Sequence, residues 1–357
     1  MWFIGIDVHK KQSQICVVDE QGAVLWETRV PTTRPDLADA LAAYPGARVL
    51  IEASTPSEWV ARHLESRGFE VIVADPGFAP MYATRDKKIK TDKRDARTLA
   101  QACRLGAYKA AHRLSDAQRA VRTQVQVRQS LVQMRTKLIN QIGAELLRSG
   151  YRVGTGAAEH FELRLSQVEL EPELESLLAP LVSMLGPLNE RIEKLDKELC
   201  ARAKTDEQAA RLQQIPGVGP IISLMFVSVL DGAGRFEGAH QVMSYLGLVP
   251  REKSSGEKQL RGHITKAGHR GMRVLLVQAA LGVMRLKKPQ TKRLHEWAEQ
   301  IEQRRGKRIA TVALARRLAG VMWAMLRDGT DFVAEPPKRA RRAASNPQPA
   351  PSPSLAA

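Results

Sequence analysis

The sequence predicts an α/β domain followed by a mostly helical remainder, with a long helical arm between two globular parts. Three observations predict it. Within residues 1–110, short apolar or alternating runs follow one another between turn signals. Between residues 114 and 199, leucine and isoleucine recur at spacings of three and four. Beyond residue 206, Gly-rich joints separate helical patterns, and the chain closes on Pro, Ala, Ser and Arg. The expected divisions are 1–110 for the α/β domain, 111–205 for the helical arm or coiled coil, 206–330 for the helical C-terminal domain and 331–357 for a disordered basic tail.

The first domain reads element by element. Trp2-Phe3-Ile4-Gly5-Ile6-Asp7 is a short apolar run, hence a buried strand, and Ser13–Val18 is a second. Ala23–Val30 alternates as a third, joined to the second by the turn Asp19-Glu20-Gln21-Gly22. Leu37–Tyr44 then reads as a helix, Arg48–Ala53 as a buried strand, Ser57–Gly68 as a helix and Glu70–Asp75 as a strand. Three strands followed by alternating helix and strand is the order of an RNase H-like sheet, an order that other mixed folds share. Ala96–Leu105 is a further helix closed by Gly106.

The arm begins at a capping box, Ser115-Asp-Ala-Gln118. Leu131, Met134, Leu138, Ile142 and Leu146 mark one apolar stripe. Leu174, Leu177, Leu181, Leu185, Leu188, Ile192, Leu195 and Leu199 mark another, interrupted by Pro180 and Pro187. Two heptad-like helices point to a coiled coil and to self-association, against the simpler reading of an internal hairpin packed on its own domain.

The 357 residues carry 55 Lys and Arg against 38 Asp and Glu, a net charge of +17. That excess favours a polyanionic partner. Three dispersed cysteines without a CxxC pair exclude a zinc ribbon and a disulfide scaffold, and fit a reducing compartment. No secretory leader is legible at the N-terminus, and no uninterrupted apolar run approaches a membrane span. The expected location is the cytoplasm, in association with the nucleoid, without a membrane partner.

Four carboxylates carry the chemistry. Asp7 and Glu52 each end an apolar strand, where an unpartnered buried charge is costly. Asp92 and Asp95 sit in a cationic run with Lys87, Lys88, Lys90, Lys93, Arg94 and Arg97. The bland reading makes Asp92 an N-cap with Asp95 in the capping-box position. The functional reading places both on one helix face, aimed at the sheet. Clustered carboxylates repel unless divalent cations lie between them, and hard oxygen donors suit Mg²⁺, with Mn²⁺ as substitute. Two such ions clamp the attacking and leaving oxygens of a phosphodiester, and the surrounding cations attract the nucleic-acid backbone.

Two further segments point to phosphate. Ile215-Pro-Gly-Val-Gly-Pro220 has the form of a helix-hairpin-helix turn, in which Gly217 and Gly219 free backbone N–H groups for a phosphate. Val249–Arg273 reads as a basic loop containing Ser254-Ser255-Gly256. A serine hydroxyl there suits a phosphoryl-transfer nucleophile, with Arg251, Lys253, Arg261, Lys266 and His269 to stabilise phosphate charge. Chemistry alone leaves Ser254 and Ser255 equivalent, and leaves nucleophile and hydrogen-bond donor both open.

Taken together, IGIDVHK, LIEAS, VADPGFAPMYATR with KTDKRDARTLA, IPGVGP, YLGLVP and SSG…RGHITKAGHRGMR resemble the DEDD transposases of insertion sequences. These are relatives of the Piv and MooV invertases, also called bridge recombinases. The resemblance runs from about residue 3 to about residue 330, in the family's order. It implies a RuvC-like first domain of RNase H fold, with the tetrad on Asp7, Glu52, Asp92 and Asp95 and two Mg²⁺ ions. It implies a catalytic serine before the glycine, hence Ser255, which forms a covalent phosphoserine with DNA. It also implies a homo-oligomer, a dimer of dimers, in which one subunit's metal site meets another's serine. A structured noncoding RNA of the element would pair with donor and target DNA. The chain departs from many relatives at Ala53-Ser-Thr-Pro56, where Ala-Thr-Gly is common, and at Thr265, often Ser. A RuvC-like junction nuclease is the rival reading; it needs the four acids but not the serine. A noncatalytic nucleic-acid binder needs neither.

Overall fold

The structure, a computed structural model, describes residues 1–82, 91–255 and 258–334, the side chains of 253–261 excepted. Lys87, Lys88 and Lys90 lie outside the described residues, as does the expected tail from residue 335 onward. The chain divides into two compact units, one ending at Leu114 and the other beginning at Ser115.

The first unit is a five-stranded sheet of β1 (Phe3–Val8), β2 (Gln12–Val18), β3 (Val24–Pro31), β4 (Arg48–Glu52) and β5 (Glu70–Ala74), in the order β3-β2-β1-β4-β5. β1 to β3 form an antiparallel meander, and β4 and β5 run parallel to β1. This topology is consistent with the RNase H-like order expected from sequence. The turn between β2 and β3 closes as Asp19 Oδ1 accepts from the amide of Ala23 at 2.8 Å and Gly22 takes a positive φ.

Period-2 alternation then assigns the faces. Ile4, Ile6, Ile15, Val17, Val49 and Ile51 face α1 (Arg34–Leu41) and α2 (Ser57–Glu65). Phe3, Cys16, Val18 and Leu50 face α3 (Asp92–Leu105) through Ala96, Leu99, Ala100 and Cys103. The helix is capped by Thr91, whose side chain accepts from the amide of Arg94, and ends at Gly106 with φ of 65°. Asp92 is therefore the first residue inside the helix, and neither it nor Asp95 is the cap. The capping reading of those acids is corrected on this point, although their charge still suits the helix N-terminus.

Among its described residues, the second unit is helical apart from one hairpin. α4 (Asp116–Arg148) opens at Ser115, whose Oγ accepts from the amide of Gln118. The second half of the expected capping box is taken by Asp231, which accepts from both the amide and the hydroxyl of Ser115 at 2.7 and 2.8 Å. α5 (Phe161–Leu165) and α6 (Pro172–Val182) pack near the far end of α4, with Ile142, Leu146, Phe161, Leu165, Leu178 and Leu185 as a small local core. The second leucine-rich stretch is two helices, α6 and α7 (Leu185–Thr205), because the chain breaks between Val182 and Leu185, flanked by Pro180 and Pro187. α7 runs antiparallel to α4, tied by Gln124–Glu198, Arg128–Asp196 and Arg135–Asn189 at 2.8 to 2.9 Å. Leu185, Ile192 and Leu199 are buried at heptad spacing. Leu177 is 69% exposed while its neighbour Leu178 is 4% exposed, so of the expected positions on α6, Leu174 and Leu181 pack on the local core and Leu178 takes the place of Leu177.

Beyond α7 come α8 (Glu207–Leu212), α9 (Pro220–Leu230) and α10 (Ala239–Tyr245), then the strands β6 (Pro250–Ser255) and β7 (Lys258–Ile264), then α11 (Arg270–Leu286), α12 (Lys292–Arg305) and α13 (Lys307–Asp328). The segment expected as a basic loop is in part an antiparallel hairpin, with Ser254 paired to Gln259 and Ser255 to Lys258. Among the described residues one helix, α13, is long and apolar enough to cross a membrane. Its Leu314, Leu318 and Met322 are buried in the core of the second unit, which includes residues of α9 and α11. Gln214 holds the chain beyond α13, donating to Asp331 and accepting from the amide of Phe332, each at 2.8 Å.

Candidate active site

The site in the first unit follows from sheet register. Gly5 pairs with Cys16 on one side and Leu50 on the other, and Cys16 pairs with Glu27, so Leu50, Gly5, Cys16 and Glu27 form one row across the sheet. Two residues on, Asp7 pairs with Gln14 and Gln14 with Arg29. Glu52 falls opposite Asp7, one step past the last β1–β4 pair at Ile6 and Ile51. The rows share a face because side chains alternate strictly along each strand. That face is the one α3 covers.

Gly5 sets how closely α3 approaches. A Cβ at this position would overlap the amide of Ala100 and the carbonyl of Ala96, so the helix backbone rests directly on the strand. One turn toward the N-terminus, the same helix presents Asp92 and Asp95 beside Asp7. Burial pushes the Asp7 carboxyl above the ordinary carboxylate range, His9 draws it back, and Asp95, Asp92 and Glu52 each push it up. The other three acids named from the sequence thus each act on Asp7.

The structure adds residues that the sequence reading missed. His9 Nε2 lies 3.2 Å from Asp7 Oδ2 and 3.5 Å from Asp92 Oδ1. Arg29 Nη2 faces the other Asp92 oxygen at 3.5 Å. The signal for His9 was present, since it stands two residues after Asp7 and alternation aims both one way. The signal for Arg29 was not, since its place beside Asp92 depends on the register of β3. One ligand atom from each of Asp7, His9 and Asp92 falls within 4.8 Å of the others, close enough to share a cation. The two carboxylates and the imidazole fit a divalent ion, whose charge would offset the repulsion from the other acids that, after burial, raises Asp7.

Glu27, in the neighbouring row, binds Lys93 Nζ at 3.0 Å and chelates the Arg97 guanidinium, which holds its carboxyl below the usual range. Two of the cations expected to face nucleic acid are therefore engaged by the sheet. Cys16, buried beneath Glu27, has its thiol pushed up to about 12, first by burial and then by that carboxylate, which makes it inert.

The remaining sequence-named residues belong to the second unit. Gly217, with φ of 96°, lies in the turn between α8 and α9, and a Cβ there would stand 3.0 Å from the Ala279 carbonyl of α11. Gly219 is the N-cap of α9, whose residues from Ser223 to Leu230 are all buried. The two motifs YLGLVP and KAGH meet backbone to backbone: a Cβ on Gly247 would overlap Ala267, and one on Gly268 would overlap Tyr245. Arg273 clasps the junction, donating to the carbonyls of Leu246, Ala267 and Gly268 at 3.2, 2.8 and 3.1 Å. Lys266 is exposed and takes a left-handed φ of 58°. His269 caps α11, its Nδ1 accepting from the amide of Met272 at 3.1 Å, while its other nitrogen faces Gln126. Burial, with Arg122 and Arg273 nearby, pulls the ring down to about 4, so it is neutral at pH 7. Arg251 is exposed on β6. For Lys253, Ser255 and Arg261 the backbone pairing alone is described, and Gly256 lies outside the described residues.

Comparison with known proteins matches both parts of the chain. Residues 4–150 match a family model described as "Transposase", that of the DEDD type, and residues 209–296 match one described as "Transposase IS116/IS110/IS902 family". The transposase for insertion sequence element IS1111A of Coxiella burnetii is 30% identical over 328 residues, covering 90% of this chain and 89% of that one. The transposase for insertion sequence element IS1328 of Yersinia enterocolitica is 31% identical over 331 residues, covering 92% and 98%. Similarity of this extent, together with a family model on each part of the sequence, places the chain in the IS110 family of DEDD transposases of insertion sequences.

Proposed function

We propose that the protein cuts and rejoins DNA at the ends of an insertion sequence, by phosphoryl transfer at a divalent-metal site held by Asp7, Glu52, Asp92 and Asp95, with Ser255 as nucleophile. The observation that carries the reading is the convergence on Asp7, whose partly buried carboxyl shares a place with ligand atoms of His9 and Asp92 within 4.8 Å and is pushed up, after burial, by Asp95, Asp92 and Glu52. Four carboxylates crowded on one sheet face cost stability unless they serve a cation. Bound there, Mg²⁺ or Mn²⁺ would supply charge stabilisation to the attacking and leaving oxygens.

The chain's own groups would do the rest. The Ser255 Oγ gives up its proton and forms a bond to the phosphorus of a DNA strand. The bond from that phosphorus to the leaving deoxyribose oxygen breaks, and the leaving oxygen takes a proton. The reverse step, with a different deoxyribose hydroxyl attacking, frees the serine and seals the new junction. The serine ester retains the phosphodiester energy that hydrolysis would lose. Arg251, Lys253, Arg261 and Lys266 suit backbone phosphates, and the turn at Gly217 and Gly219 suits another phosphate in the manner of a helix-hairpin-helix. His269, neutral at pH 7, suits positioning rather than charge.

RuvC-like chemistry in the first unit, an arm built on α4 and α7 that joins subunits, and a structured noncoding RNA that selects donor and target DNA complete this reading. The exposed Val127 and Met134, seven residues apart on α4, and the net charge of +17 support the second and third of these.

Strand cleavage with Mg²⁺, followed by denaturing electrophoresis, tests the reading. Asp7→Ala, Glu52→Ala, Asp92→Ala and Asp95→Ala each lose cleavage while remaining folded. Ser255→Ala loses the protein–DNA adduct yet still binds metal and DNA. Full cleavage by Asp92→Ala and Asp95→Ala would sink the metal site. Cleaved product without adduct, equally abundant in Ser255→Ala, would mean a metal-only junction nuclease. Efficient recombination at one site without RNA would remove the guide.

A further inference from the structure

We infer that His9 is a nitrogen ligand to the divalent cation held between Asp7 and Asp92, and that it biases this site toward Mn²⁺ over Mg²⁺. The inference rests on the metal site proposed above and adds to it a donor outside the acidic tetrad.

Geometry carries the argument. His9 Nε2 stands 3.2 Å from Asp7 Oδ2 and 3.5 Å from Asp92 Oδ1. Neighbouring ligand atoms in an octahedral shell about 2.1 Å from the ion are separated by roughly 3 Å. An imidazole nitrogen and two carboxylate oxygens at these spacings therefore already form two edges of such a shell. Asp92 divides its oxygens, with Oδ1 turned to His9 and Oδ2 to Arg29. Arg29 thereby engages one oxygen and leaves the other directed at the point where Asp7 and His9 meet.

Local sequence explains how the ring arrives there. His9 immediately follows β1, at the position where alternation continues the face of Gly5 and Asp7. Its ring is half-exposed and lies at the open margin of the acidic group rather than in the core. A core histidine would be buried against apolar neighbours. This one contacts two carboxylates from different elements, one on the strand and one on α3.

Chemistry sets the consequence. Mg²⁺ prefers all-oxygen surroundings and holds its water tightly, whereas imidazole suits the later divalent ions better than it suits Mg²⁺. A site of four carboxylates alone discriminates weakly between Mg²⁺ and Mn²⁺. Adding one nitrogen strengthens Mn²⁺ binding and leaves Mg²⁺ binding nearly unchanged.

The test is binding of Mn²⁺ and Mg²⁺ to the full-length protein by calorimetry, with pulsed electron paramagnetic resonance on the Mn²⁺ form. The variants are His9→Gln, Asp92→Asn and Asp7→Asn, each checked for fold by circular dichroism. The wild type shows ¹⁴N coupling to bound Mn²⁺, and His9→Gln loses it. In His9→Gln the Mn²⁺ affinity falls about tenfold, while the Mg²⁺ affinity changes less than about threefold, the scale on which metal-ligand contacts act. Wild-type Mn²⁺ without ¹⁴N coupling, or an unchanged Mn²⁺ to Mg²⁺ ratio in His9→Gln, overturns the inference. If that occurs while Asp92→Asn and Asp7→Asn lose the ion, the metal site stands and His9 alone is excluded. If those two variants bind Mn²⁺ as the wild type does, or the wild type binds none, the metal site itself falls and the inference with it.

Discussion

The carbonyl of Ala96 occupies the space into which a Cβ on Gly5 would project. Strand and helix are in backbone contact at that point, and the first turn of α3 reaches Asp7 because of it. Gly5→Ala therefore forces the helix off the sheet. Overpacking at a backbone contact is costly, and a loss of about 3 kcal/mol is expected. Hydrogen exchange of the α3 amides and urea unfolding of the first unit measure it. A loss below about 0.5 kcal/mol, the range of neutral surface changes, would show that α3 lifts without consequence.

Asp7 pays for its position in stability. Its folded pKa is raised, so the charged form is the less stable one in the fold. The cost is present above the folded pKa and disappears as pH falls through it. Without metal at pH 7, Asp7→Asn is expected to melt higher than the wild type, and the two curves converge toward pH 4. With Mg²⁺ or Mn²⁺ added, the wild type gains and the variant does not. Thermal melts with chelator and with metal check both halves. Equal melting temperatures in chelator at pH 7 would contradict the burial argument.

His269 gives the opposite pH behaviour. Its folded pKa, about 4, lies below its ordinary value of 6.5, so the unfolded chain takes up a proton first as pH falls. The stability due to its neutral form is complete above pH 6.5 and is lost between 6.5 and about 4. His269→Asn keeps a capping side chain without the titration, and its stability is expected to match the wild type near pH 7 and to fall less in that window. His269→Ala loses the cap and about 1 kcal/mol near pH 7, and because it too lacks the titration, its deficit against the wild type shrinks as pH falls through that window. Unfolding of the second unit across pH 4 to 8 separates the three proteins.

Strand ends, helix periodicity and composition were legible in the sequence because each depends on neighbours along the chain. Asp7 and Glu52 follow apolar runs, and Asp92 and Asp95 share a helix face, so the acidic group was readable before any fold was known. The paired helices α4 and α7 were readable too, since Leu185, Ile192 and Leu199 repeat at seven. The buried position on α6 was not. Leu177 and Leu178 are both leucines, and the partner surface of α4 and its neighbours decides which one faces inward.

The tertiary structure decided the rest through contacts between residues far apart in sequence. Thr91, not Asp92, caps α3, so both acids lie inside the helix rather than at its cap. Glu27 engages Lys93 and Arg97 because β3 lies two strands from β1, a fact of register that local pattern does not contain. Arg29 reaches Asp92 for the same reason. The basic segment around Ser255 became a hairpin because cross-strand pairing, from Pro250 with Ile264 to Ser255 with Lys258, overrode its loop-like composition. Composition and periodicity are local quantities, so they determined which residues this protein has for its chemistry. Register and packing are nonlocal, so they alone decided which of those residues meet.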